Sequence, residues 1–116
     1  MTATYEVRPT DGGIAVVVLH GQVDRDAMAP LEAAYDKARA GDPRTVLLDF
    51  TGVDYINSTG IALIVGILGR ARAEGRRVAA AGLTEHYQHV FAITRLSDFI
   101  DVYDDVRSAV GDATVG

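Results

Sequence analysis

The sequence has no cysteine. That absence excludes a disulfide framework, a thiolate-held metal and a cysteine nucleophile, and it suits a reducing compartment. Aromatic residues make up only 7%, with no tryptophan, so the core must be built from Val, Leu, Ile and Ala. Basic charge is scarce: the net charge is −5, and Lys37 is the one lysine among 11 basic residues. A mildly acidic domain lacks the basic stripe of a nucleic-acid binder, so no nucleic-acid partner is expected. Long hydrophobic runs are missing too. The most apolar stretch, Ile61 to Leu68, is closed by Arg70 and Arg72 and falls well short of the ~20 residues a membrane span needs. The first residues, Met1 to Glu6, carry no basic segment followed by an apolar one, so no signal peptide is read there. The expectation is a soluble, cytoplasmic protein without a membrane partner.

Several chemistries are also missing. No Gly-rich loop ends in Lys-Ser or Lys-Thr, and no GxGxxG follows a strand, so no nucleotide loop and no cofactor are expected. His86 and His89 share a helical face at i, i+3 but have no third ligand nearby, so a surface pair is read rather than a metal. A phospho-acceptor receiver domain would use Asp49 as acceptor and a late lysine, and no lysine follows Lys37.

What is present fits one domain over residues 1–116, with about 48% hydrophobic residues. Tyr5–Arg8 alternates like a half-exposed strand, and Pro9–Gly13 reads as a turn. Ile14–His20 reads as a strand covered on both faces. Asp24 or Asp26 caps a helix from about Ala27 to Ala40, with Met28, Leu31, Ala34, Tyr35 and Ala38 as its apolar stripe. Gly41-Asp42-Pro43 ends it. Arg44–Phe50 is a second buried strand. A helix follows Gly60 and runs to Glu74, where Gly75 stops it. Arg76–Ala81 is a strand, Thr84 caps a helix over Glu85–Ile93, and Tyr87, Val90, Phe91 and Ile93 form its buried face. Phe99–Tyr103 is a last strand, Asp105–Val110 a last helix, and residues 111–116 a loose tail. The order β, β, α, β, α, β, α, β, α implies an α/β fold with a mixed, mostly parallel sheet, an N-terminal hairpin and about four helices.

The chemistry concentrates at Asn57-Ser58-Thr59-Gly60, between a strand and a helix. Asn and Ser are good N-caps, and a hydroxyl here faces the positive end of a helix dipole. One reading is a plain cap. The other is a switch, because a phosphate on Ser58 would be stabilised by the dipole and free N–H groups. A third is a serine hydrolase elbow: Gly60 supplies the second glycine of G-x-S-x-G, but Ile56 stands at the first. Behind Ser58, Gly66 and Gly69 interrupt the helix, each costing about 1 kcal/mol relative to Ala. With Ala62 and Ala73 they line one side, either for internal packing or for a docking partner. Ile61, Val65, Leu68 and Arg72 form the adjacent stripe.

Three blocks resemble the STAS domain, specifically the stand-alone anti-sigma-factor antagonists. Leu19-His20-Gly21-Gln22-Val23-Asp24 is similar to the pattern L-x-G-E-[LV]-D. Leu47 to Ile61 is similar to L-D-L-S-x-V-x-[FY]-[IM]-D-S-[ST]-G-[LI]. Val90 to Leu96 is similar to L-F-x-[IL]-[ST]-G-L. The resemblance implies a non-enzymatic protein that binds an anti-sigma factor serine kinase and so releases the sigma factor. It implies phosphorylation of Ser58 as the off switch and a serine phosphatase that reverses it. Asp24, Asn57, Ser58, Thr59, Gly60, Ile61 and Val65 would then meet the partner. The alternative is a STAS subunit of another assembly, a signalling or lipid-transport complex, without phosphorylation. Two positions depart from the patterns: Asn57 stands in place of Asp, and Arg95 in place of Gly.

Overall fold

A computed structural model describes residues 4–10 and 13–115. Five strands, β1 (Thr4–Thr10), β2 (Ile14–Val23), β3 (Thr45–Ile56), β4 (Arg77–Ala81) and β5 (Asp101–Tyr103), form one sheet in sequence order. β1 pairs antiparallel with β2, and every later pair is parallel. Four helices connect or follow them: α1 (Met28–Arg39), α2 (Ser58–Ala73), α3 (Glu85–Ile93) and α4 (Val106–Val115). Single 3-10 turns precede α1 and follow α3. The expected order and mixed sheet hold. Residues Asp11 and Gly12 of the expected hairpin turn lie outside the described residues.

Strand period two divides the core. Ala15, Val17 and Leu19 of β2, with Val46, Leu48 and Phe50 of β3, point to α1, α2 and α3. Val16, Val18 and Leu47 point the other way, into a smaller cluster completed by Ala109 of α4. This two-sided cover is why β2 and β3 read as unbroken apolar runs. The edge-on rings of Phe50 and Phe91, 6.1 Å apart, tie α3 to the middle of the sheet.

Several boundaries differ from expectation. β2 does not end at His20, nor β3 at Phe50. The two continue to pair, through irregularities at Val18/His20 and Gly21/Gln22, until Val23 lies opposite Ile56. Backbone ladder bonds outweigh the weak strand propensity of Gly21 and Gly52. α4 runs to Val115, beyond its expected end at Val110 and through most of the expected loose tail; Gly116 lies outside the described residues. Ile93 is not on the buried face of α3 but 66% exposed, and Met28 is 44% exposed rather than part of the α1 core stripe. Both sit at helix ends, where the helical stripe has already turned off the sheet.

At the pole where β3 and β4 begin, polar groups lock the helices. Tyr35 Oη donates to Glu74 at 2.9 Å, and Arg39 and Arg76 each donate to the same carboxylate at 3.1 Å. Arg76 also donates to Asp42 and to the Pro43 carbonyl. Arg39, then Tyr35 and Arg76, hold the Glu74 carboxyl down to about 2. Arg70 pairs with Asp36 at 2.7 Å and Arg77 with Asp101 at 3.1 Å, while Arg72 lies over the Phe99 ring at 5.1 Å. Arg70, Arg72, Arg76 and Arg77, close together in the sequence, are therefore all engaged by partners within the fold. Arg95 has φ +66°, a left-handed conformation, and its side chain is held by Asp98 at 2.9 Å. That conformation explains the glycine of the pattern, and the arginine carries a strain of roughly 1 kcal/mol there.

Candidate functional site

The site is made at the opposite pole. β4 ends at Ala81 opposite Asp49, but β2 and β3 run on together to Val23 and Ile56. Among the described residues they form a two-stranded ribbon beyond the rest of the sheet. Asp24 follows one strand of its tip and Asn57 the other. Their parallel register brings them side by side, although they are far apart in the sequence.

Each strand then turns sharply. Asp24 accepts the Asp26 N–H at 2.9 Å, and its carbonyl accepts from Ala27 at 3.0 Å, closing the 3-10 turn that leads into α1. On the other strand, the Asn57 N–H donates to the Val23 carbonyl at 3.2 Å, a last rung of the ladder. Its Oδ1 accepts the Gly60 N–H at 2.8 Å, and its carbonyl accepts from Ile61 at 2.9 Å. Asn57 is thus the N-cap of α2, which starts at Ser58 rather than Ile61. The amide oxygen does the capping that a carboxylate oxygen would do in the pattern.

Gly60 is buried against the Val23 carbonyl, and a Cβ there would collide with it. The turn can therefore sit this close to β2 only with glycine at that position. Ser58 and Thr59 are exposed, Asp24 and Asn57 half-buried. Among the described residues nothing hydrogen-bonds the Ser58 hydroxyl.

The outward side of α2 continues from Ser58. Ala62, Val65, Gly66, Gly69 and Ala73 are all exposed, with Val65 at 47%, while Ile61 is half-buried and Leu68 buried. No polar side chain interrupts this side between Ala62 and Gly69. A Cβ at Gly66 or Gly69 would meet no atom within 4 Å. Internal packing, one of the two readings of these glycines, is thereby overturned. Gly66→Ala and Gly69→Ala should each stabilise the isolated protein by about 1 kcal/mol, read as a rise in urea midpoint at constant slope. A fall in stability would show that the fold does use these glycines.

Sequence reasoning missed Met28 and Tyr55. Met28 lines a groove between α1 and α2 with Glu32, Ala62 and Gly66. Its place at helical spacing from Leu31 made it look like core. Tyr55 is 49% exposed on the ribbon, close before Ser58. Burial does not alternate here: Val53 and Ile56 are buried while Asp54 and Tyr55 between them are exposed, because the register with β2 shifts between Gly21 and Gln22, so no period-two signal in the sequence marks Tyr55.

Comparison with known proteins agrees with this geometry. The anti-sigma-B factor antagonist of Listeria monocytogenes is 24% identical over 102 residues, covering 88% of this chain and 90% of that protein. An anti-sigma factor antagonist from Mycobacterium paratuberculosis superposes with a TM-score of 0.82 at 20% identity, over 97% of this chain and 94% of the other. The phosphorylated form of the Bacillus cell fate determinant SpoIIAA superposes with a TM-score of 0.71 at 18% identity, over 94% of this chain and 98% of the other. The family described as Mlab, STAS domain matches residues 8–102, a span that runs from β1 to β5 and contains the whole ribbon, Asp24, Ser58 and α2. The chain belongs to the STAS domain family.

Proposed function

We propose that this protein is a cytoplasmic anti-sigma-factor antagonist, one STAS domain over residues 1–116, that docks an anti-sigma factor serine kinase and is switched off at Ser58. One observation carries the reading. An exposed hydroxyl with no internal partner stands at the head of a helix whose outward side is apolar and uncovered.

The docking surface comprises Asp24, Asn57, Ser58, Thr59, Gly60, Ile61 and Val65, extended along α2 by Gly66 and Gly69. A surface helix ordinarily keeps a polar outer side. Here the outer side is apolar, and two glycines weaken the helix without any packing reason inside the fold. A partner that approaches α2 closely would account for both.

In the switching step the Ser58 hydroxyl oxygen attacks the γ-phosphorus of ATP held by the kinase. The new O–P bond forms as the bond to ADP breaks, and the hydroxyl proton passes to a base on the kinase. The antagonist contributes a nucleophile and its position, with no catalytic group, cofactor or metal of its own. The phosphate brings about −1.5 to −2 charges. The α2 dipole and the Ser58 and Thr59 N–H groups steady it within the antagonist. Against the partner the same charge and its water shell end the apolar contact. A serine phosphatase restores the hydroxyl when water displaces it from phosphorus. The relatives' name and the phosphorylated structural neighbour support this cycle.

The test is intact mass after incubation with a candidate anti-sigma kinase and ATP. A gain of one phosphate is expected, absent in Ser58→Ala. Neither transfer nor complex formation would overturn the reading in favour of a STAS subunit of another assembly. Ester hydrolysis lost in Ser58→Ala would instead point to an enzyme.

A further inference from the structure

We propose that Tyr87 is the positioning residue of the Ser58 turn: its hydroxyl, reaching from α3, fixes the end of β3 and with it the setting of Asn57 and Ser58. The inference rests on Ser58 being the phosphate acceptor.

The argument begins with a missing neighbour. Along β3, successive N–H groups point to opposite sides of the strand. That of Asn57 goes to Val23 of β2, so that of Ile56 points the other way. There β4 would have to receive it, but β4 has already ended at Ala81, opposite Asp49. A buried N–H without a partner is rare in folded proteins. Tyr87 fills the gap: its hydroxyl oxygen accepts the Ile56 N–H at 2.9 Å, inside the protein.

The tyrosine is itself well held. Its own N–H donates to the capping Thr84 Oγ1 at 3.3 Å, and its ring meets His86 edge-on at 4.9 Å. Phe91, one turn further along α3, is fully buried against Phe50. The connection into α3 is pressed onto the ribbon as well. Gly82 has φ +78°, and a Cβ there would collide with Thr51. β2 thus grips the tip of β3 from one side through Val23, and α3 grips it from the other through Tyr87. Ser58 is two residues past the second grip. Phosphoryl transfer needs its oxygen in line with the γ-phosphate, so a loosened tip lowers the rate of transfer more than it lowers binding.

Tyr87→Phe keeps the ring and removes the acceptor. Val78→Ala, a core truncation at the start of β4, serves as the control for lost stability alone. Two readouts are made on the whole chain: backbone amide exchange at Ile56, Asn57 and Ser58, and kcat and KM for transfer from the anti-sigma kinase. In Tyr87→Phe the Ile56 amide should exchange roughly tenfold faster, with a smaller acceleration at Ser58. Its kcat should fall by roughly tenfold while KM stays within about twofold. Val78→Ala should speed exchange at Ile56 no more than it speeds the β2–β3 ladder amides, and should leave kcat unchanged. Unchanged exchange at Ser58, unchanged kcat, or an equal loss of kcat in Val78→Ala would overturn the proposal. If Tyr87→Phe does not fold, the native protein decides: the Ile56 amide should be as protected as the β2–β3 ladder, and rapid exchange there would refute the strut. If native protein accepts no phosphate, the switch reading fails, while the exchange data still decide whether Tyr87 holds the turn.

Discussion

Gly60→Ala should lower the melting temperature by roughly 10–20 °C. The added Cβ would lie inside the contact distance of the Val23 carbonyl, at 2.8 Å from its carbon, with Ile56 Cγ2 at 3.1 Å on another side. A long side chain could swing away from such an intruder. A strand carbonyl cannot, because it also accepts the Asn57 N–H at 3.2 Å. The start of α2 must move off the ribbon, and the capping bond from Gly60 to Asn57 goes with it. Overpacking of this kind costs about 3 kcal/mol. Because the same displacement moves Ser58 off the ribbon, partner binding should fall along with stability. A melting temperature within a few degrees of native would show that the helix start can slide freely. The contrast with Gly66→Ala is sharp: the same chemical change is expected to stabilise where the Cβ meets open space and to disrupt where it meets backbone.

Ser58→Asp should weaken the complex with the anti-sigma kinase by about 30–150-fold, equivalent to roughly 2–3 kcal/mol. The carboxylate places charge at the head of an apolar docking surface. Its effect on the isolated fold should be small, within about 0.5 kcal/mol, because Ser58 is exposed and the first turn of a helix favours negative charge. Titration calorimetry and thermal unfolding on the same preparation separate the two quantities. Native-like affinity would rule out electrostatic expulsion as the switching mechanism. Asn57 bears on the magnitude. A carboxylate at that position would already place a negative charge beside the acceptor, whereas the amide caps the helix without one. The phosphate therefore supplies a larger relative change in local charge here than it would beside an aspartate.

Much of this was legible before any coordinates. The alternation of strands and helices and the capping chemistry at Asn57-Ser58 follow from local chemistry, and the three blocks that carry the resemblance are each a short stretch of sequence. Hydrophobic period and capping preference act over a few residues, so they can be read a few residues at a time. The errors have a common cause. The expected strand stops at Phe50 because Gly52 and the acidic Asp54 are poor strand residues, yet β2 recruits Thr51 to Ile56 through its ladder. Met28 and Ile93 looked like core because helical spacing says which residues share a side but not where the sheet stops.

The order of elements, the cap and the presence of a spare hydroxyl were determined by the sequence alone, since each depends on residues adjacent in the chain. The ribbon that carries Ser58, the placing of Asp24 and Asn57 at one end of it, the closure of Gly60 on Val23 and the reach of Tyr87 to Ile56 were decided only by tertiary structure. Each joins segments remote in the sequence, and each depends on where one strand ends relative to its neighbour. The two interior glycines of α2 show the difference most plainly. The sequence showed that they weaken a helix. Only the fold showed that nothing within it needs them.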